Sequence, residues 1–339
     1  MSTKPFLMSC RSSGRGAMAL MATLLVAACS SPTAPTPQAP PPPVLSLTCP
    51  ADIARESSDG SAVNVTWPTI IPTGGVNPIT VACGGPSDNM FPVGETAVVC
   101  RASDTSLQQA SCTFTVTVTR QPRLNRVNIM AFGDSMTLGV VSDPQSSVLS
   151  ADGFPSFILD YRPQASYPTR LQIKLRERYV AQGDSVRVSN FGLSGEKVED
   201  GVVRLSGALA NQRPEVLLLL HGANNMTGPF PNSRSFIMTQ LSDMMKDARF
   251  RGTRVFVATQ PPPRQGGRNA IPLSSVLDLN HHIRLLAAGE GAVLVDVYGA
   301  LNQDINRYMG IDGLHPTEAG YQRMADEFYE AIKADLEIK

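Results

Sequence analysis

The chain carries no excess of charge of either sign: 29 lysines and arginines balance 29 aspartates and glutamates, for a formal net charge of +0. No basic stripe with interleaved aromatics runs through it, which argues against nucleic acid as a partner. It has no glycine-rich Lys-Ser or Lys-Thr loop to cradle phosphates, so a P-loop nucleotide site is excluded. Histidine is scarce, with four in 339 residues. A metal hydrolase using His281 and His282 is a disfavoured reading, and no metal or cofactor is expected. The apolar segment from Ala17 to Ala28 also falls short of the ~20 residues a membrane-spanning helix requires.

That short segment has another reading. Lys4, Arg11 and Arg15 precede it, the arrangement of a secretory signal. It closes on Val26-Ala27-Ala28-Cys29, which resembles a bacterial lipobox. The resemblance implies a signal peptide over 1–28, acylation of Cys29 and residence as a cell-envelope lipoprotein, facing the periplasm or the outer surface. An ordinary signal with a chance cysteine is the competing reading. Residues 29–43 then form a Pro-rich linker, and at ~3.1 Å per residue in polyproline geometry the run Ser30 to Pro43 is a semi-rigid stalk of about 40 Å.

Residues 44–120 show short alternating runs broken by Pro, Gly, Asn and Asp, an antiparallel β pattern. In the clearest run Cys112, Phe114, Val116 and Val118 share one face and Thr113, Thr115, Thr117 and Thr119 the other. Leu45, Leu47 and Cys49 share one parity, as do Ile79, Val81 and Cys83, which places Cys49, Cys83 and Cys112 on faces the pattern would bury. Four cysteines in so small an exported unit read as two disulfides, since its core is small for its surface. Three connectivities are open; the preferred one joins Cys49 with Cys112, on the first and last strands, and Cys83 with Cys100. A metal site has neither closely spaced pairs nor a histidine here. Cys49-Pro50, Phe91-Pro92-Val93-Gly94, Thr96 to Cys100, Ala102-Ser103-Asp104 and Cys112 to Val118 together resemble the hyalin-repeat (HYR) module. That resemblance implies a small all-β immunoglobulin-like sandwich used for spacing or adhesion, with an extracellular ligand as a conceivable partner.

Over 124–339 strands alternate with helices, which argues for a parallel sheet with helices on both faces. Strands are expected at 127–132, 185–190, 215–221, 254–259 and 293–297, and helices at 167–180, 197–211, 233–250, 274–289 and 316–336. In the last helix Ala319, Tyr321, Met324, Phe328 and Ile332 recur at core spacing. The segment 139–166 reads as irregular, either a substrate wall or lid or a disordered insertion.

The first of these strands stops at Gly133-Asp134-Ser135, leaving a hydroxyl beyond a strand's carboxyl end, where open parallel sheets keep their ligands. A serine needs a base to take its proton and a group to orient that base. Among His221, His281, His282 and His315, only His315 sits in an Asp-x-x-His arrangement, Asp312-Gly313-Leu314-His315-Pro316, from which Asp312 can fold back onto the imidazole. His221 ends a strand, and the adjacent His281 and His282 face two directions. The glycine-bearing stretch Asn190 to Glu196 after the second strand and Asn224 after the third could present a backbone N–H and a carboxamide to a developing oxyanion, though each alone equally reads as a turn.

Gly133-Asp134-Ser135-Met136, Gly195, Gly222-Ala223-Asn224 and Asp312-Gly313-Leu314-His315 resemble the conserved blocks of the SGNH or GDSL hydrolases, with Tyr167-Pro168 and Leu171 in keeping. The resemblance implies a flavodoxin-like α/β fold with a parallel five-stranded sheet and ester hydrolysis through an acyl-enzyme, on substrates from short acyl esters and acetylated glycans to lysophospholipids. It makes Ser135 the nucleophile, His315 the general base and acid, Asp312 its orienter, and Ser135 N–H, Gly195 N–H and the Asn224 side chain the oxyanion hole. One departure stands out: Asn225 stands where this family usually has aspartate, for which an altered rate is expected. No Gly-x-Ser-x-Gly elbow occurs, which argues against the other common serine-esterase fold. The rival reading is an adhesion or glycan-binding lipoprotein whose hydrolase-like domain is inactive.

Overall fold

The computed structural model describes residues 40–149, 153, 155–227 and 232–338. The signal peptide, Cys29 and most of the Pro-rich linker lie outside the described residues. β1 (Ile53–Ser57), β2 (Val63–Asn64), β3 (Thr80–Cys83), β4 (Met90–Phe91), β5 (Gly94–Ser103) and β6 (Gln109–Arg120) build the N-terminal β unit. Its four-stranded sheet runs β1-β6-β5-β3, and β2 pairs with β4. Phe114, Val116 and Val118 alternate inward along β6 as the threonine pattern requires, and Trp67 packs edge-on against Phe91 and Phe114.

Two details differ from the alternation argument. β1 pairs with β6 in parallel, because the long chain between them allows β1 to enter along the same direction. Cys83 is exposed on the edge strand β3, while Cys100 opposite it is fully buried. Disulfides join Cys49 to Cys112 and Cys83 to Cys100, at sequence separations of 63 and 17. In the chain-entropy model the longer loop contributes about 4 kcal/mol, more than such a small core readily supplies.

A connecting strand, β7 (Arg123–Leu124), leads into the α/β unit. Its elements are β8 (Asn128–Gly133), α1 (Ser135–Leu138), β9 (Val140–Leu149), β10 (Pro155–Tyr161), α2 (Tyr167–Arg178), β11 (Arg187–Gly192), α3 (Val198–Gln212), β12 (Val216–Leu220), α4 (Arg234–Phe250) and β13 (Arg254–Ala258). There follow α5 (Leu273–Glu290), β14 (Val293–Val295), α6 (Val297–Asn302), α7 (Ile305–Tyr308), α8 (Glu318–Leu336) and β15 (Glu337–Ile338), which pairs with β7. The five-stranded sheet is parallel throughout in the order β11-β8-β12-β13-β14. Helix α2 packs on α8, and α4 lies between α3 and α5, so both faces are covered. That is why Val216 to Leu220 can be apolar on both parities: every residue of β12 is buried. In α8 the side chains of Tyr321, Met324, Phe328 and Ile332 are fully buried at helical spacing, whereas Ala319 is half-buried and Gly320 takes the inward position.

The 139–166 segment is not irregular. β9 and β10 pair antiparallel, with a register shift between Pro155 and Phe157. Proline and serine in this stretch obscure the period-two pattern. The base of the hairpin is tied to the core, since the Tyr321 hydroxyl donates to the Val140 carbonyl at 2.6 Å.

Candidate active site

Sequential strands diverge from β8, with β11 on one side and β12 on the other, so a crevice opens beyond its carboxyl end. The loops after β8, β11 and β12 carry Ser135, Gly195 and Asn224 respectively. Gly133 is needed at the end of β8 because a Cβ there would lie 2.0 Å from the Leu220 carbonyl oxygen of β12. Asp134 then caps α1, its Oδ1 accepting from Met136 N at 3.0 Å, and Ser135 becomes the first helical residue. A first-position N–H has no acceptor within the helix. The second oxygen of Asp134 is buried without a hydrogen-bond partner among the described residues, and burial pushes this carboxyl upward against the pull of His221 and His315.

His315 Nε2 stands 2.9 Å from Ser135 Oγ, and His315 Nδ1 stands 2.7 Å from Asp312 Oδ2. Asp312 is inaccessible to solvent. Its Oδ1 accepts from the backbone N–H groups of Leu314 and His315, and its Oδ2 also accepts from the Asn269 carboxamide at 3.2 Å. Burial opposes the charge on Asp312, but these bonds, led by the His315 ring, hold its carboxyl below the ordinary value. An ionised carboxylate accepts only, so the ring proton belongs on Nδ1 and Nε2 is left to accept from the serine hydroxyl. The loop after β13 supports this arm from behind: Asn269 N donates to the Asp312 carbonyl at 2.7 Å, and Ser142 Oγ on β9 accepts from Asp312 N.

Gly195 has φ +77°, a left-handed conformation that favours glycine, and its N–H has no acceptor among the described residues. The Asn224 carboxamide donates one N–H to the Glu196 carbonyl at 2.9 Å, which leaves the second for another acceptor. Glu196 is itself locked. Its carboxylate takes bonds from Arg204 and from His221 Nε2, the latter at 2.9 Å. Although burial works against its charge, Arg204 and His221 keep the carboxyl below its ordinary value. Arg204 also donates to the carbonyls of Gly133 and Phe191, at the ends of β8 and β11, and lies 3.9 Å above the Phe132 ring. One guanidinium thus ties together the two strand ends that carry Ser135 and Gly195.

A pocket of about 720 Å³ opens at these groups. Its walls include the apolar side chains of Met226, Ile237, Ile271 and Leu279, while Arg234 and Asp278 form an ion pair at its rim. Leu159 of the hairpin also lines it, so the 139–166 segment contributes to a pocket wall.

Ser135, Gly195, Asn224, Asp312 and His315 are therefore assembled in one crevice. His281 and His282 are not; they lie on α5, where His282 Nδ1 contacts the Asp278 carbonyl. Glu196, Arg204 and Asn269 join the site without having been expected from the sequence, and His221, expected only as a strand-ending residue, bonds Glu196. Glu196 adjoins Gly195, which was its one sequence signal; it precedes α3, so no helical spacing pairs it with Arg204. Asn269 had none, because only tertiary contact brings its loop to Asp312.

The profile of the GDSL-like Lipase/Acylhydrolase family matches residues 131–323, and that of the HYR domain matches residues 39–118. Esterase TesA of Pseudomonas aeruginosa is 26% identical over 201 residues, spanning 59% of this chain and 89% of that protein. The lipase/acylhydrolase of Enterococcus faecalis superposes with a TM-score of 0.51 at 22% identity, over 62% of this chain and 97% of that one.

Proposed function

Because the chain belongs to the GDSL-like lipase/acylhydrolase family, whose profile covers most of the α/β unit, we propose that this carboxylic ester hydrolase works through an acyl-enzyme on Ser135. Ser135 Oγ attacks the ester carbonyl as His315 Nε2 takes its proton, and Asp312 accepts from Nδ1–H and stabilises the imidazolium. The carbonyl oxygen gains a negative charge where the N–H groups of Ser135 and Gly195 and the free N–H of Asn224 can donate to it. Collapse expels the alcohol, which leaves with the proton from His315. Water then repeats the sequence on the acyl-enzyme and releases the acid. The observation that carries this reading is the 2.9 Å contact between Ser135 Oγ and His315 Nε2, two groups 180 residues apart. A structural serine has no need of a buried imidazole whose other nitrogen is held by a carboxylate. The test is hydrolysis of p-nitrophenyl acetate by wild type and Ser135→Ala, with fluorophosphonate labelling of Ser135. Equal rates from the two proteins would reject the mechanism and leave the binding-protein reading.

The acyl group is assigned to the Met226, Ile237, Ile271 and Leu279 side of the pocket, where an aliphatic chain leaves water. The same reading places the enzyme outside the cytoplasm, held by acylated Cys29 and the Pro-rich stalk, with 44–120 as a spacer and 124–339 as the hydrolase. The two disulfides favour an oxidising compartment. Cys29→Ala should then move the protein from the membrane fraction to the soluble exported fraction. A wild-type protein that already fractionates as soluble would remove the anchor.

A further inference from the structure

Asn225 is buried directly beside the oxyanion donor Asn224, and its carboxamide is fully engaged. Its Oδ1 accepts from Val198 N at 2.9 Å, at the start of α3. Its Nδ2 donates to Glu199 Oε2 at 2.7 Å and to Asn232 Oδ1 at 2.9 Å, and its backbone carbonyl accepts from Asn232 N at 2.7 Å. One partner is a donor and two are acceptors, so the orientation of the amide is decided by the network. The side chain therefore pins three things to one another: the turn carrying Asn224, the first turn of α3 that follows Gly195 and Glu196, and Asn232, which lines the pocket just before α4.

We propose that Asn225 and Glu199 form a polarity-matched pair that positions the Asn224 carboxamide for the oxyanion, so that an amide is required at 225 as long as a carboxylate stands at 199. Aspartate is isosteric with asparagine, so any effect comes from polarity and charge rather than from side-chain size. It would bring two carboxylate oxygens to 2.7 Å, leave Asn232 Oδ1 without its donor, and push the Asn224 turn away from α3. Inverting both members, aspartate at 225 and glutamine at 199, restores one donor and one acceptor on the same contact. The proposal rests on the assignment of Asn224 as an oxyanion donor. It makes Asn225 a positioning residue, which acts through Asn224 and touches no substrate.

The experiment is steady-state hydrolysis of p-nitrophenyl acetate by the full chain, with thermal unfolding of each variant as a control of folding. Asn225→Asp should lower kcat by about tenfold or more with KM changed less than about twofold, a fraction of what losing an oxyanion donor costs. Asn225→Asp with Glu199→Gln should recover kcat to within about threefold of wild type, as expected for coupled neighbours. In an Asn224→Ala background Asn225→Asp should cost less than about twofold more, because the group it displaces is already gone. Glu199→Ala, which leaves Asn225 and the fold in place, should lower kcat by about threefold and serves where Asn225→Asp unfolds. An unchanged kcat in Asn225→Asp, no recovery in the inverted pair, or an undiminished loss in the Asn224→Ala background would each overturn the pairing. A fully active Asn224→Ala would instead remove the oxyanion assignment, and this proposal with it.

Discussion

Replacing Asp312 by asparagine tests the site most sharply, because shape is kept and only the direction of hydrogen bonds changes. Asp312 receives four donors: the His315 ring, the Asn269 carboxamide and the backbone N–H groups of Leu314 and His315. An asparagine can present its oxygen to only one side of that set. Turned toward the His315 ring, it sets its NH2 against two fixed backbone donors. Turned toward the backbone, it keeps those two bonds and points its NH2 at Nδ1, which forces the ring proton onto Nε2. The second arrangement leaves fewer donors in conflict, and in it Nε2 can no longer accept from Ser135 Oγ 2.9 Å away. The serine then loses its base while substrate binding is untouched. kcat should fall by about a thousand- to ten-thousand-fold, ~4 to 5.5 kcal/mol of transition-state stabilisation, with KM changed less than about threefold. Initial rates on p-nitrophenyl acetate, corrected for residual wild type by fluorophosphonate titration, measure this directly. A variant that keeps its melting temperature and runs within tenfold of wild type would refute the orienting role of Asp312.

Leu279→Trp fills the apolar side of the pocket and should leave p-nitrophenyl acetate hydrolysis within about threefold while lowering kcat/KM for the octanoate about tenfold or more, since each methylene denied burial costs ~0.8 kcal/mol. Proportional losses on both esters would remove that wall from the acyl site. The Glu196 carboxyl is held below its ordinary value in the native state, so its contribution to stability is complete above that value and is lost as pH falls through the native one. The melting-temperature advantage of wild type over Glu196→Gln should accordingly stay constant from about pH 7 to 5 and shrink below about pH 4; an advantage independent of pH would show that the Arg204 and His221 contacts act without charge.

Much of the α/β unit was legible along the chain because its elements declare themselves by period. Leu217 to Leu220, apolar on both parities, read as a strand covered on two faces, and Tyr321, Met324, Phe328 and Ile332 as one face of a helix. The β9–β10 hairpin was not legible, since its proline and serines carry no clear period and its register shifts between Pro155 and Phe157. The parity argument placed Cys83 inward, yet it is exposed at the end of the edge strand β3, beyond the core that covers Cys100 opposite it.

By itself the sequence pointed to the candidate groups, because a hydroxyl and a carboxamide just past strand ends and an Asp-x-x-His before the last helix are local facts of residue type and spacing. Only the tertiary structure decided what holds them at reacting distance. Arg204 clipping two strand ends, Asn269 supporting Asp312 and Asn225 meeting Glu199 are contacts between segments whose proximity no period encodes, created when the sheet closes and buried polar groups must each find a partner.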